Sequence, residues 1–249
     1  MSTSELSITK RRLLGGIAIA AVTMALTACS DSEDKAASTE AKPAVSNETT
    51  ASTTPAVEIP TADRDVDMEA ALKPGPLKEM ALGDPNAPVK IIEYMSMTCP
   101  HCAHFHENTF EAIKTKYVDT GKVYFVLREF PFPQDTASLA AFMLARCTTE
   151  DRFFPFVSTL LKQQRTWAAP ADGDVRGAML QMSKLAGFTQ ESFDACLTNA
   201  KLAGDVSAVR DRGAQEFGVQ STPTFLINGK AYSGDMSVDS MSALIDSLL

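Results

Sequence analysis

The sequence predicts an α/β fold carrying a block of inserted helices, and three observations support it. An apolar run at Val89 to Tyr94, a helix-periodic run from Pro100, and a strand-like run at Lys122 to Arg128 make a βαβ unit. Residues 135 to 218 then give helical signals in several segments. Strand chemistry resumes at Thr222 to Ile227, where Asn228-Gly229 supplies the strongest short hairpin-turn signal.

The first residues read as a processing signal. Lys10, Arg11 and Arg12 precede fourteen largely apolar residues, Leu13 to Leu26, which suits a signal-peptide core and is short for a membrane span. Arg11 and Arg12 resemble a twin-arginine signal, but Leu13-Leu14-Gly15 departs from that pattern. Cleavage before Cys29 would put Leu26 at −3, where an ordinary signal wants a small residue. Leu26-Thr27-Ala28-Cys29 instead resembles a bacterial lipobox, which makes residues 1–28 a signal peptide and Cys29 the lipid attachment site.

Residues 29–75 are rich in Ser, Thr, Ala, Glu and Pro and show no periodicity, so the sequence predicts a flexible low-complexity tether. A coil of this length reaches about 35 to 40 Å. One domain is expected over residues 76–249. Its charge is nearly balanced, with twenty acids against sixteen bases, and no basic stripe points to nucleic acid.

Within that domain, Lys78 to Leu82 reads as a first strand, with a loop through Gly83, Asp84, Pro85, Asn86 and Pro88. Val89 to Tyr94 is apolar almost throughout, as in a strand covered on both faces. Pro100 suits a first helical position, and Cys102, Phe105, His106, Phe110, Ile113 and Tyr117 then mark one helix face. Pro155, Pro170 to Gly173, Gly187 and Gly204 are read as separators among the inserted helices over about 135–218. Lys230 to Tyr232 is the return strand, and Met236 to Leu249 a closing helix.

Cys99-Pro100-His101-Cys102 sits at the strand-to-helix junction, where the free N–H groups of a helix start favour a thiolate. Cys99 is the expected nucleophile and Cys102, one turn on, its buried partner. His101 can donate a hydrogen bond or a positive charge to the Cys99 sulfur. Five cysteines is an odd count for an exported chain, and acylation of Cys29 accounts for it. A Cys99–Cys102 bridge leaves Cys147 with Cys196; the alternative is two buried free thiols. All three histidines lie at positions 101, 104 and 106, but Cys102 and His106 lack the further ligands a metal site needs. No metal is expected, and His104 and His106 read as ordinary helix residues.

Glu93 shares an otherwise apolar strand face with Val89 and Ile91, a costly place for a charge unless it is paired, and Arg128 is the candidate partner. Met95 and Met97 fit either a peptide groove or the core.

The CPHC motif, Glu93 six residues before it, Gly83-Asp84-Pro85 and Ser221-Thr222-Pro223-Thr224-Phe225 together resemble the DsbA family of exported dithiol oxidases over residues 76–249. The resemblance implies a thioredoxin-like fold with an inserted α-helical domain, and oxidation of paired cysteines without a bound cofactor. It implies that Glu93 assists proton transfer at Cys102, and that a cis Thr222–Pro223 bond faces the CxxC and offers Thr222 to an extended client segment. The implied partners are reduced exported proteins and a DsbB-like or vitamin-K-reductase-like membrane reoxidant, with the chain itself a monomer tethered outside the cytoplasm. A disulfide reductase or isomerase, or a non-enzymatic binding or chaperone lipoprotein, are the alternatives.

Overall fold

The computed structural model describes residues 57–249; the expected signal peptide over 1–28, the expected lipid site Cys29 and the first part of the expected tether lie outside them. In chain order the elements are β1 (Arg64–Asp65), α1 (Met68–Leu72), β2 (Met80–Leu82), β3 (Val89–Met95), α2 (Pro100–Asn108), α3 (Phe110–Ile113), a π-helical turn (Lys114–Val118) and β4 (Val123–Glu129). Next come helices α4 (Thr136–Arg146), α5 (Glu150–Lys162), α6 (Gln164–Ala168), α7 (Val175–Leu185), α8 (Gln190–Leu197) and α9 (Ala200–Phe217). The chain closes with β5 (Thr224–Ile227), β6 (Lys230–Ser233) and α10 (Val238–Asp246). Together these make the thioredoxin-like fold with a helical insertion.

The strands form one sheet in the order β1-β6-β5-β3-β4-β2. Central β3 runs parallel to β4 and antiparallel to β5. Its continuous apolar run has a direct cause. Val89, Ile91 and Met95 join the core made with α2, α3, α10 and the inserted helices, whereas Ile92 and Tyr94 pack with Ala71 of α1 and with Val209 and Phe217 of α9. Helix α9 thereby carries the chain from the insertion back onto the other face of the sheet.

Close packing fixes one glycine on α9. A Cβ at Gly213 would lie 2.6 Å from Cε1 of Tyr94, a fully buried ring that Arg128 holds by its hydroxyl. Gly213→Ala is therefore expected to cost about 1–3 kcal/mol despite alanine's better helix propensity. Urea midpoints of the two proteins check this.

Three sequence expectations are corrected. The tether does not extend to residue 75. Arg64 and Asp65 pair with Ala231 and Lys230, the Arg64 guanidinium donates to the Phe217 carbonyl at 2.8 Å, and Arg212 donates to the carbonyls of Ala70 and Lys73. These long-range links hold a segment too short and polar to show a periodicity. Pro155 does not end a helix but lies inside α5. Its missing N–H deprives the carbonyl of Asp151, an exposed residue, of its usual helical donor. Gly204 likewise lies inside α9, which ends instead at Gly218 in a left-handed C-cap with φ 64°.

Cys147, the C-cap of α4, is disulfide-bonded to Cys196 of α8, 49 residues away. Closing a loop of that size restricts the unfolded chain by about 4 kcal/mol. The double replacement Cys147→Ala, Cys196→Ala is expected to lose about 2–4 kcal/mol of stability, read from denaturation of both proteins without reductant.

Candidate active site

Cys99 is the N-cap of α2, with φ −75° and ψ 120°, and Pro100 occupies the first helical turn, where a missing N–H costs nothing. The loop before it is held by side chains from the inserted block. Ser138 Oγ accepts from the Met97 N–H at 3.0 Å, Thr98 donates its hydroxyl to Asp135, and Gln164 Nε2 donates to the carbonyls of Met97 and Cys99 at 2.9 and 3.0 Å. Sequence reasoning did not find these residues. Asp135 also caps α4, and Gln164 lies 65 residues from Cys99 and carries no motif.

Cys99 and Cys102 are free thiols, the first partly exposed and the second fully buried. The Cys99 thiol donates across to the Thr222 carbonyl at 3.2 Å, and the Thr222–Pro223 bond beside it is cis. A hydrogen bond from Cys102 is the main cause that brings the Cys99 thiol down to about 5, against burial, with the Cys102 and His101 backbone N–H groups adding to it. Burial pushes Cys102 well above the ordinary thiol range, and its bond to Cys99 and the Glu93 charge push the same way. One sulfur is thus ionised near neutrality and its neighbour is not.

The His101 backbone N–H is one of the groups that lower the Cys99 value, and its imidazole is exposed on the first turn of α2. At the second helical position the side chain projects outward while the N–H points toward the cap.

Glu93 is fully buried and its partner is His106, not Arg128. His106 Nε2 and Glu93 Oε2 are 2.8 Å apart. Arg128 stands opposite Tyr94 in the β3–β4 register, so it shares Tyr94's face and bonds its hydroxyl and Glu79, while Glu93 looks to the other side. His106 is therefore not an ordinary helix residue: it lies one turn after Cys102 and is 3% exposed. His104 points outward to Asp235. Met95 and Met97 are fully buried and belong to the core, so neither lines a surface groove.

A family model described as thioredoxin matches residues 77–247. A Rickettsia felis protein carrying the name of a protein-disulfide oxidoreductase is 34% identical over 172 residues, 69% of this chain and 60% of that protein. The chain thus spans less than two thirds of the length of the Rickettsia relatives it matches. A Bacillus cereus relative named for disulfide bond formation is 28% identical, covering 68% of this chain and 77% of its own. The crystal structure of Wolbachia pipientis alpha-DsbA1 superposes with a TM-score of 0.65 at 30% identity, over 72% of this chain and 94% of that one.

Proposed function

Because the chain belongs to the thioredoxin family, in its DsbA-like branch, we propose that it is an exported thiol-disulfide oxidoreductase that introduces disulfides into client proteins through Cys99 and Cys102. The observation that carries this reading is the split between the two thiols, with Cys99 lowered to about 5 and Cys102 raised. A thiolate held in the reduced state makes the corresponding disulfide the better oxidant.

The two positions dictate the reaction. A client thiolate attacks Cys99 Sγ of the oxidised pair, the Cys99–Cys102 bond breaks, and Cys102 leaves and takes up a proton. The client's second thiolate then attacks its own sulfur in the mixed disulfide and releases Cys99 as a thiolate. Two electrons pass from the client to the Cys99–Cys102 pair. Pro100 sets the start of α2, Glu93 serves the proton at Cys102, and the Thr222–Pro223 segment binds the extended client beside Cys99. A membrane protein of the DsbB or vitamin-K-reductase type reoxidises the pair.

The site lies outside the cytoplasm, on a monomer tethered through a lipid on Cys29. Among the described residues no helix is long and apolar enough to cross a membrane, and the tether reading rests on the lipobox sequence. Mixing the oxidised protein with a reduced dithiol peptide tests the activity: one peptide disulfide per protein molecule is expected, and a peptide that stays reduced overturns the proposal. Cys29→Ser is expected to move the protein from the membrane fraction to the soluble one.

A further inference from the structure

Away from the client-facing surface lies a cleft of about 560 Å³, bounded by β2, the α2–α3 junction and α5, whose lining includes His106 and none of Cys99, Cys102, Thr222 or Pro223. His106 thus has one nitrogen on the buried Glu93 carboxylate and an edge on a separate space. The second carboxylate oxygen of Glu93, Oε1, is buried and accepts no hydrogen bond among the described residues, which leaves it free to exchange a proton. The Glu93 charge is felt at Cys102. Glu93, His106 and the cleft therefore form a continuous series, with Cys102 under the influence of the Glu93 charge at its inner end.

We propose that His106 relays protons between Glu93 and this cleft, so that the buried Cys102 gains and loses its proton through the back of the domain while a client covers the front. The proposal rests on the thiol-exchange reading above and adds to it the route and its second member. When Cys102 leaves as a thiolate, it takes a proton from the Glu93 carboxyl. Glu93 is reprotonated by the Nε2–H of a neutral His106 ring while the other ring nitrogen takes a proton from cleft water, and tautomer exchange resets the ring for the next cycle. Reoxidation runs the same steps backward, and no electrons move along the path.

The surroundings suit this direction of supply. Four carboxylates, Glu79, Glu111, Glu150 and Asp151, line the cleft against two lysines, Lys114 and Lys162. Glu79 is paired with Arg128 and Glu150 with Lys78, while Lys114 is engaged by Asp119. From β3, the ionisable side chain bonded to the His106 ring is Glu93. With those pairs set aside, Glu111 and Asp151 remain against Lys162, a small acidic excess that favours protons at the cleft mouth.

The test compares His106→Gln, which keeps a hydrogen-bond donor but cannot titrate, and His106→Ala with the parent protein. Single-turnover oxidation of a dithiol peptide is followed across pH, alongside the alkylation midpoint of Cys99. Both variants are expected to slow the turnover by about a hundredfold, the low side of what positioned proton carriers contribute, with the Cys99 midpoint still near 5. Added imidazole is expected to restore the rate of His106→Ala, because the cleft admits a small heterocycle. Should either variant fail to fold, histidine-selective NMR of the parent protein decides. The His106 titration is expected to differ between the oxidised and reduced proteins, and an identical titration overturns the proposal. A folded His106→Gln protein with the parent's rate and pH profile overturns it as well. If the parent protein itself leaves the peptide reduced, the activity reading fails first, and the relay falls with it.

Discussion

Cys99→Ser is expected to lower oxidation of a dithiol peptide to the uncatalysed rate, whereas Cys102→Ser, which cannot form the pair, keeps only thiol exchange at a Cys99 supplied as a mixed disulfide. The asymmetry comes from burial. Cys99 caps α2 at the surface beside Thr222, and Cys102 is fully enclosed, so a client sulfur reaches only the first. Cys102→Ser protein primed with glutathione on Cys99 is expected to exchange it for a single-cysteine peptide. The resulting mixed disulfide persists on a non-reducing gel because no neighbouring thiol displaces it. Mass spectrometry should place the peptide on Cys99, and adduct on Cys102 of the native parent would contradict the assignment.

Native alkylation of Cys99 should titrate with a midpoint near 5, and in urea it should move to about 8.5, the ordinary thiol value. Near pH 6 the lowered value raises the thiolate fraction by about 300-fold over a free thiol, but the weaker nucleophilicity of an acidic thiol offsets about 40-fold of that. The net acceleration is about 5- to 10-fold, and Cys102 stays unmodified until the protein unfolds. The same shift has a stability consequence. Folding lowers the Cys99 value, so its contribution to the reduced protein is complete above about pH 8.5 and is lost as pH falls through about 5. Melting temperatures of reduced and oxidised protein at several pH values should therefore diverge upward across that window, in favour of the reduced form. A flat difference would mean that Cys99 is not the group that titrates.

The fold was legible because its main elements speak in strong periods. Val89 to Tyr94 and Lys122 to Arg128 fall within the observed β3 and β4 but for Lys122, and the Asn228-Gly229 turn joins β5 to β6 as expected, with Asn228 at φ 43°. The thiol pair was legible from spacing alone, since a CxxC at a helix start carries its own geometry. Other parts depended on distant contacts that a linear pattern does not record. The N-terminal strand β1 is two residues long and exists because β6 offers an edge and Arg64 reaches Phe217. Gln164 becomes a support of the redox loop only when α6 folds against it.

The Glu93 partner is the instructive case. Arg128 is the nearer candidate by charge, but strand alternation already places it with Tyr94 on the opposite face. His106 sits four residues after Cys102 on the apolar stripe of α2, a spacing that puts both under the helix. Reading that stripe as a place where a polar ring needs a buried partner pairs it with Glu93. Charge complementarity without face assignment picks the wrong cation.

The equilibrium of the Cys99–Cys102 pair against a glutathione buffer tests the central claim most directly. A disulfide whose reduced form is stabilised by the Cys99 thiolate is expected to be clearly more oxidising than thioredoxin, whose potential is about −270 mV. A potential at or below about −270 mV would contradict an oxidising centre and assign the pair to reduction instead.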